Sequence, residues 1–285
     1  CVLLSGLATV AMLAANSTSA NPNVVNNGFK PVETVQNKTD YGFRNGSALV
    51  APIPFSNPVI GSGLSIGAGY LFELAPDSDT SFIGLGVMGS DNGSKAYGLA
   101  SNLSFGNGWS FDLAVAEADV RYDLFFGSLR LPIKQSGELV NGGLDYELSD
   151  GVSLGAAVRY INTEIGLRTE GTPIPGDLLP DIGLELASFG LRLSLDERDD
   201  SDYPTDGERL NISVNRGYSV SDTSRSYTYA TANLDAYRSL SSNSVVAGRL
   251  STCTASSDAP FFDKCSIGFS DGFRGFNPTQ FYDLK

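Results

Sequence analysis

An arginine near the end of the chain stands where it could hold a loop in place. Arg274 is followed by Gly275 and Phe276, within a Gly-rich stretch from Cys265 to Asp283. The residues before this stretch alternate as short strands do, so Arg274 falls in a long connection of an all-β chain. An arginine enclosed there needs a counter-charge, and Gly275 permits close approach of the backbone. We predict that Arg274, Gly275 and Phe276 latch this loop inside the fold; the alternative is an ordinary exposed arginine.

Two cysteines flank the stem of the same loop, at positions 253 and 265. Residues 1–20 are expected to be a secretory signal peptide, with an apolar run followed by Thr18-Ser19-Ala20 as a small-residue cleavage site. The alternative makes Cys1 a lipidated N-terminus. Removal of Cys1 with the signal peptide leaves two cysteines in an oxidising compartment. We therefore predict a disulfide between Cys253 and Cys265.

A second group of charged residues precedes a Pro-Thr-Asp-Gly turn. Its members are Asp196, Arg198, Asp199, Pro204 and Gly207. We predict a structural charge cluster at a short turn. Two alternatives remain open: calcium bound by the run of aspartates between 199 and 206, which lacks EF-hand spacing, and a solvated acidic turn.

Composition excludes several function classes. The chain has no histidine, which removes Ser-His-Asp and Cys-His catalysis and the common zinc sites. The net charge is −13 without a basic run, which argues against nucleic acid as a partner. We expect no enzymatic activity, no cofactor and no metal.

Strict alternation dominates the chain after residue 46. Leu64 and Ile66, for example, share one face of a strand, while the opposite face carries Gly63, Ser65 and Gly67. No apolar run after Ala20 reaches the ~20 residues of a membrane-spanning helix. An apolar face opposite a small or polar one is typical of a membrane β-barrel. The alternative is a soluble sandwich or lipocalin-like barrel, whose polar face would carry more Lys and Glu.

Turn lengths alternate along the chain. Asn107-Gly108, Asp150-Gly151 and Ser241–Asn243 are tight, whereas 122–137, 165–182, 218–226 and 252–279 predict long connections. We predict about eleven strands before the Arg274 loop, beginning with Ser47–Phe55. Residues 21–46 are expected to be a short polar periplasmic segment, and 47–285 an outer-membrane barrel domain that the sequence leaves incomplete.

With these motifs, residues 48–285 resemble the BamA/TamA-like bacterial surface antigen family. The likeness depends on Arg274-Gly275-Phe276, on Asp196 to Gly207, and on the opening from Pro52-Ile-Pro54 to Leu64. The resemblance implies a barrel of about sixteen strands, with this loop after the eleventh. It also implies that the loop folds into the lumen and that Arg274 meets an acidic residue on a later strand. Typical members carry POTRA domains, and residues 21–46 are too short for one.

The resemblance implies an outer-membrane barrel in the insertion or export of proteins. Its expected partners are membrane lipid and client outer-membrane or exported proteins. A passive channel or structural pore is the alternative, although a plain pore has no need of an inward Arg-Gly-Phe loop. An outer-membrane lipase is the third hypothesis, and the missing histidine counts against it.

Overall fold

The computed structural model describes residues 42–57, 59–76, 78–126, 129–168, 182–200, 203–221, 225–241, 243–267 and 281–284. Within these ranges the chain is all-β. Phe43–Asn45 and Phe261–Asp263 form short 3-10 turns. Among the described residues no helix is both long enough and apolar enough to cross a membrane.

Thirteen strands lie in the described part of the chain, two of them only two residues long. They are β1 (Ser47–Asn57), β2 (Gly61–Phe72), β3 (Ser81–Ser90), β4 (Lys95–Ser104), β5 (Trp109–Phe126), β6 (Leu129–Ser149), β7 (Val152–Leu167), β8 (Ile182–Asp196), β9 (Gly207–Ser219), β10 (Ser226–Ser241), β11 (Ser244–Ala255), β12 (Cys265–Ser266) and β13 (Tyr282–Asp283).

The first eleven strands form one antiparallel sheet in which each strand pairs with the next along the chain. The predicted count of eleven is therefore confirmed, and so is a first strand that begins at Ser47. The sheet curls around a shared interior, since one buried apolar cluster contains Ile60 beside β2, Tyr122 of β5 and Tyr227 of β10. The fold is an up-and-down antiparallel β-barrel, in which strands follow one another as neighbours.

The side chains alternate between the two faces of the sheet as predicted. On β5, the outward residues Leu113 and Val115 are exposed, while the inward residues Asp112 and Ala114 are buried. The neighbouring strands pair so that apolar residues line up on the outer face, as Leu191 of β8 does with Val214 of β9. The outer face of the barrel is therefore apolar over a continuous band, which is the arrangement of a barrel surrounded by lipid.

The predicted long connection at 122–137 is wrong. β5 continues to Phe126 and β6 resumes at Leu129, so these two strands are the longest of the sheet. The reason is a change in the outer face. Beyond Val115 the outward positions of β5 carry Glu117, Asp119 and the residues that follow, while apolar side chains now point inward. A strand whose outer face is solvated accepts this pattern.

The end of the outer face of β2 also differs from the prediction. Phe72 continues the face of Leu64 and Ile66, which the alternation predicts to be the apolar outer face, but it is buried. Phe43 covers it, with ring centroids 5.1 Å apart, and Tyr70 donates a hydrogen bond to the carbonyl oxygen of Phe43 at 2.6 Å. Residues 42–46 thus pack against β2 instead of leaving its apolar end open.

The barrel has two different ends. We call the end with the connections 105–108, 150–151, 197–206 and 242–243 the turn end, and the opposite end the loop end. After β11 the chain turns back into the barrel at the loop end. Residues 256–264 enter the interior, and β12 and β13 then pair with each other, Cys265 opposite Asp283.

Candidate lumenal site

The segment of residues 256–264 is held to the barrel wall at its start and at its end; we call it the stopper segment. Ser256 donates its backbone N–H to the carbonyl oxygen of Thr228 at 2.9 Å and accepts the N–H of Thr228 on its own hydroxyl at 3.0 Å. At the other end, Cys265 forms a disulfide with Cys253 of β11, with the two Cα atoms 5.6 Å apart. The predicted cysteine pair is thus present in the structure and closes the stopper segment into a loop.

The stopper segment carries an aspartate into the interior. Asp263 follows Phe262 in the 3-10 turn, and both residues are buried. The Asp263 carboxylate accepts a hydrogen bond from Arg159 of β7 at 2.5 Å and from the hydroxyl of Tyr227 of β10 at 2.7 Å, both on Oδ2. Its side chain is 1% exposed and that of Arg159 is 9% exposed, so this is a buried ion pair.

The strands provide space for this contact. Arg159, Ser188, Gly217 and Tyr227 lie in one inward row across β7, β8, β9 and β10. The two central residues are small, and the Tyr227 ring lies directly over Gly217, where an added Cβ would come within 2.2 Å of it. The Arg159 guanidinium also lies 5.2 Å from the centroid of the Tyr229 ring, a cation–π distance. The wall is thus shaped to receive the carboxylate.

Removing one partner of the Arg159–Asp263 contact is expected to be costly. Truncating one partner of a buried pair costs about 3–5 kcal/mol, because the other charge stays buried. Yet Oδ1 of Asp263 is buried and has no hydrogen-bond partner among the described residues. A pair with an unsatisfied oxygen specifies a position more than it adds net stability.

Apolar side chains fill the interior around the stopper segment. Ala259, Phe261 and Phe262 of this segment pack into the cluster that contains Tyr122 and Leu139 of the barrel wall. A buried polar chain supports the same wall, since the Tyr122 hydroxyl donates to Gln135 at 2.6 Å and Gln135 donates to Thr163 at 3.1 Å. The loop-end half of the lumen is therefore packed in this structure.

The turn-end half of the lumen is different, because it holds a polar cavity of about 900 Å³. Arg192 of β8 reaches across it, donating to Asp145 of β6 through Nε at 2.6 Å and to Asp112 of β5 through Nη2. Three strands are thereby joined through one guanidinium. The other ionisable residues of the cavity wall are mostly acidic: Asp79, Glu147, Asp196 and Arg209. The lumen is therefore divided into a polar chamber and a packed half.

The predicted charged turn joins β8 to β9. Arg198 donates to both carboxylate oxygens of Asp196, from Nε at 2.8 Å and from Nη2 at 2.7 Å. Asp199 accepts the backbone N–H and the hydroxyl of Thr205, at 2.9 and 2.6 Å. The Thr205 hydroxyl and then the backbone N–H groups of Asp206 and Thr205 lower the pKa of Asp199 to about 2.

Gly207 closes this turn in a conformation that other residues rarely adopt. Its φ is +105°, and an added Cβ would lie 2.3 Å from the carbonyl oxygen of Glu197. Pro204 lies in the same turn, in the connection before β9. The five motif residues are thus brought into one turn, in which the carboxylates of Asp196 and Asp199 bind partners within the turn. Among the described residues no group of three or more His, Cys, Asp or Glu side chains is placed to bind a metal ion.

The predicted latch residues Arg274, Gly275 and Phe276 lie outside the described residues. The structure instead shows a loop carboxylate on a wall arginine, which sequence reasoning missed. In the sequence, Arg159 alternates with the apolar residues Val158 and Tyr160, and Asp263 falls within the predicted long connection 252–279. The available signal was an arginine on an otherwise small face and an aspartate after two phenylalanines. Nothing in the sequence joins positions 104 residues apart.

No protein-family model matches the chain, and no curated protein matches it either. Among solved structures, the chain is similar to the crystal structure of BamA from Haemophilus ducreyi lacking POTRA domains 1–3. The TM-score is 0.54 at 19% sequence identity, over 82% of this chain and 46% of that one. The chain thus spans about half the length of that BamA structure and has a BamA-like barrel fold.

Proposed function

We propose that this protein is an outer-membrane barrel that inserts other proteins into the outer membrane or exports them across it. The observation that carries the proposal is the segment after the eleventh strand, which returns into the lumen and is held there by a disulfide and a buried ion pair. The likeness of the barrel to BamA supports the same role. The role needs no catalysis, cofactor or metal.

The proposed location follows from the outer face. The apolar band would lie in the hydrocarbon core, with the turn end in the periplasm and the loop end outside the cell, as in outer-membrane barrels generally. Trp109 and Tyr146 fit this placement of the band, since their tilted rings pack against each other across β5 and β6 near the turn end, with centroids 4.8 Å apart. Aromatic rings are enriched at such membrane boundaries.

The proposed partners are membrane lipid on the outer face and client protein chains. A net charge of −13 without a basic run disfavours nucleic acid. A passive channel is the second candidate, and the polar chamber of about 900 Å³ favours it. The packed loop-end half of the lumen disfavours it, because a passive channel needs a continuous wet path.

The test is folding of a client barrel in liposomes that contain the purified full-length protein. We expect an unfolded outer-membrane barrel to reach its heat-resistant form at least about tenfold faster than in empty liposomes, about 1.4 kcal/mol of barrier. Arg274→Ala should lose this effect while the protein itself still inserts, and Arg274→Lys should rescue poorly because lysine lacks the planar fork of arginine.

The matched control is Arg238→Ala, since Arg238 is an exposed arginine with Glu208 as its ion-pair partner. Liposomes with Arg238→Ala should fold the client barrel as fast as liposomes with the unaltered protein. If liposomes with the unaltered protein fold the client no faster than empty ones, the insertion role is wrong. Small-ion conductance through the same liposomes would then favour the channel.

A further inference from the structure

We propose that the stopper segment is a gate, and that the ion pair between Asp263 and Arg159 is the contact that keeps the lumen closed. The gate would separate the polar chamber from the loop end. This inference goes beyond the insertion or export role and does not depend on it, because a barrel that handles no client could be gated in the same way.

The first step of the argument is position. The stopper segment contributes Ala259, Phe261 and Phe262 to the cluster that packs the loop-end half of the lumen. The polar chamber occupies the turn-end half, lined by Arg192 and its partners. Removing the stopper segment from the cluster would therefore take away the side chains that the chain after β11 adds to it.

The second step is attachment. The disulfide joins Cys265 to Cys253 of β11, and Ser256 is hydrogen-bonded to Thr228 of β10, so both ends of the segment are anchored to the wall. Among the described residues, Asp263 holds the segment in the interior through Arg159 and the Tyr227 hydroxyl. The middle of the segment can thus move when that contact breaks, while its two ends stay anchored to the wall.

The third step is that the contact is suited to release. Oδ2 of Asp263 takes both donors, while Oδ1 is buried without a partner in the described part of the chain. The Asp263 carboxylate and the Arg159 guanidinium would both regain hydration if the segment moved out of the lumen. A fully satisfied network would resist such a movement, whereas a partly satisfied one brings the two states closer in free energy.

The experiment is conductance of the full-length protein in planar lipid bilayers. The unaltered protein should be closed for most of the recording. Asp263→Asn and Arg159→Met should each raise the conducting fraction of time at least tenfold. Exchanging the two residues, Arg159→Asp with Asp263→Arg, should return the conducting fraction toward that of the unaltered protein, because coupled partners compensate.

Asp235→Asn is the matched control. Asp235 is also buried and paired with an arginine, Arg249, but the pair joins β10 to β11 and not the stopper segment. It should leave the conducting fraction unchanged. The gate is wrong if Asp263→Asn and Arg159→Met conduct no more than the unaltered protein, or if Asp235→Asn opens the lumen equally.

A milder variant decides the case in which the single charge variants fail to insert. Tyr227→Phe keeps the ring over Gly217 and removes the hydrogen bond to Asp263. We expect it to raise the conducting fraction at least about tenfold, in line with one hydrogen bond to a charged group. An unchanged Tyr227→Phe together with an open exchanged variant would overturn the proposal.

Discussion

At the scale of single residues, this barrel places ion pairs where they fix position. Arg192 joins three strands through two carboxylates, and Arg159 holds a segment that comes from beyond the eleventh strand. Buried pairs of this kind give little net stability relative to apolar packing, but a missing partner is costly. The ion pairs of the lumen therefore specify which side chains meet, although they add little net free energy to folding.

Asp199 gives a pH prediction at the same scale. Its folded pKa is about 2 and lies below the ~3.9 of an unfolded aspartate, so its contribution to stability is complete above about pH 4 and is lost as pH falls toward 2. Thr205→Val removes the hydroxyl that is the largest cause, and should raise the pKa of Asp199. Carboxyl titration by NMR of the protein in micelles measures this shift.

The control for that titration is Thr254→Val, which changes an exposed threonine on β11 and not the turn. Thr254→Val should leave the pKa of Asp199 unchanged. An Asp199 pKa that does not move in Thr205→Val would mean that the backbone N–H groups of Thr205 and Asp206 alone set it.

At the scale of elements, β5 shows what alternation can predict and where it fails. Its odd positions are apolar and outward up to Val115, and from Glu117 to Asp123 they are charged while Val120 and Tyr122 point inward. A search of the sequence for one continuous apolar face ends at this change, and it therefore assigns the remainder of β5 to a loop. The strand itself continues, because its backbone pairs with β6 through to Phe126.

The change from apolar to charged outward residues between Val115 and Glu117 predicts the boundary of the lipid bilayer. In intact cells, a membrane-impermeant maleimide should label Asp119→Cys but not Leu113→Cys, in a background without the native cysteines. The physical reason is that Asp119 pairs with Lys134 at 3.1 Å outside the apolar band, whereas Leu113 lies within it. Equal labelling at both positions would contradict the membrane placement, and labelling only after lysis would reverse the orientation.

The stopper segment shows the limit of sequence reasoning at this scale. The cysteine pair could be predicted, because two thiols remained at one loop stem in an oxidising compartment. The contact of Asp263 with Arg159 could not, because it depends on how a segment without regular alternation folds back over four strands. Local patterns specify strands well, whereas long-range polar contacts depend on the tertiary fold.

At the scale of the whole molecule, an apolar outer band and a wall of eleven hydrogen-bonded strands predict the behaviour of a membrane barrel. The full-length protein should fractionate with the outer membrane and migrate faster on gels when it is not heated in detergent. The reason is that interstrand hydrogen bonds survive detergent until heating unfolds the barrel. Recovery of the protein as a soluble periplasmic species, with no shift on heating, would exclude the barrel.

The limited height of the apolar band has a consequence for the surrounding lipid. On β5 the outward apolar residues run from Trp109 to Val115, which is about 20 Å along the strand and about 15 Å after a tilt of ~40°. On β6 they run from Leu148 to Val140, about 21 Å in height. Both fall short of the ~25 Å typical of such barrels. Hydrophobic mismatch should therefore thin the bilayer beside β5 and β6, at fractions of a kcal/mol per Å, and shorten the hydrocarbon path for a strand entering there.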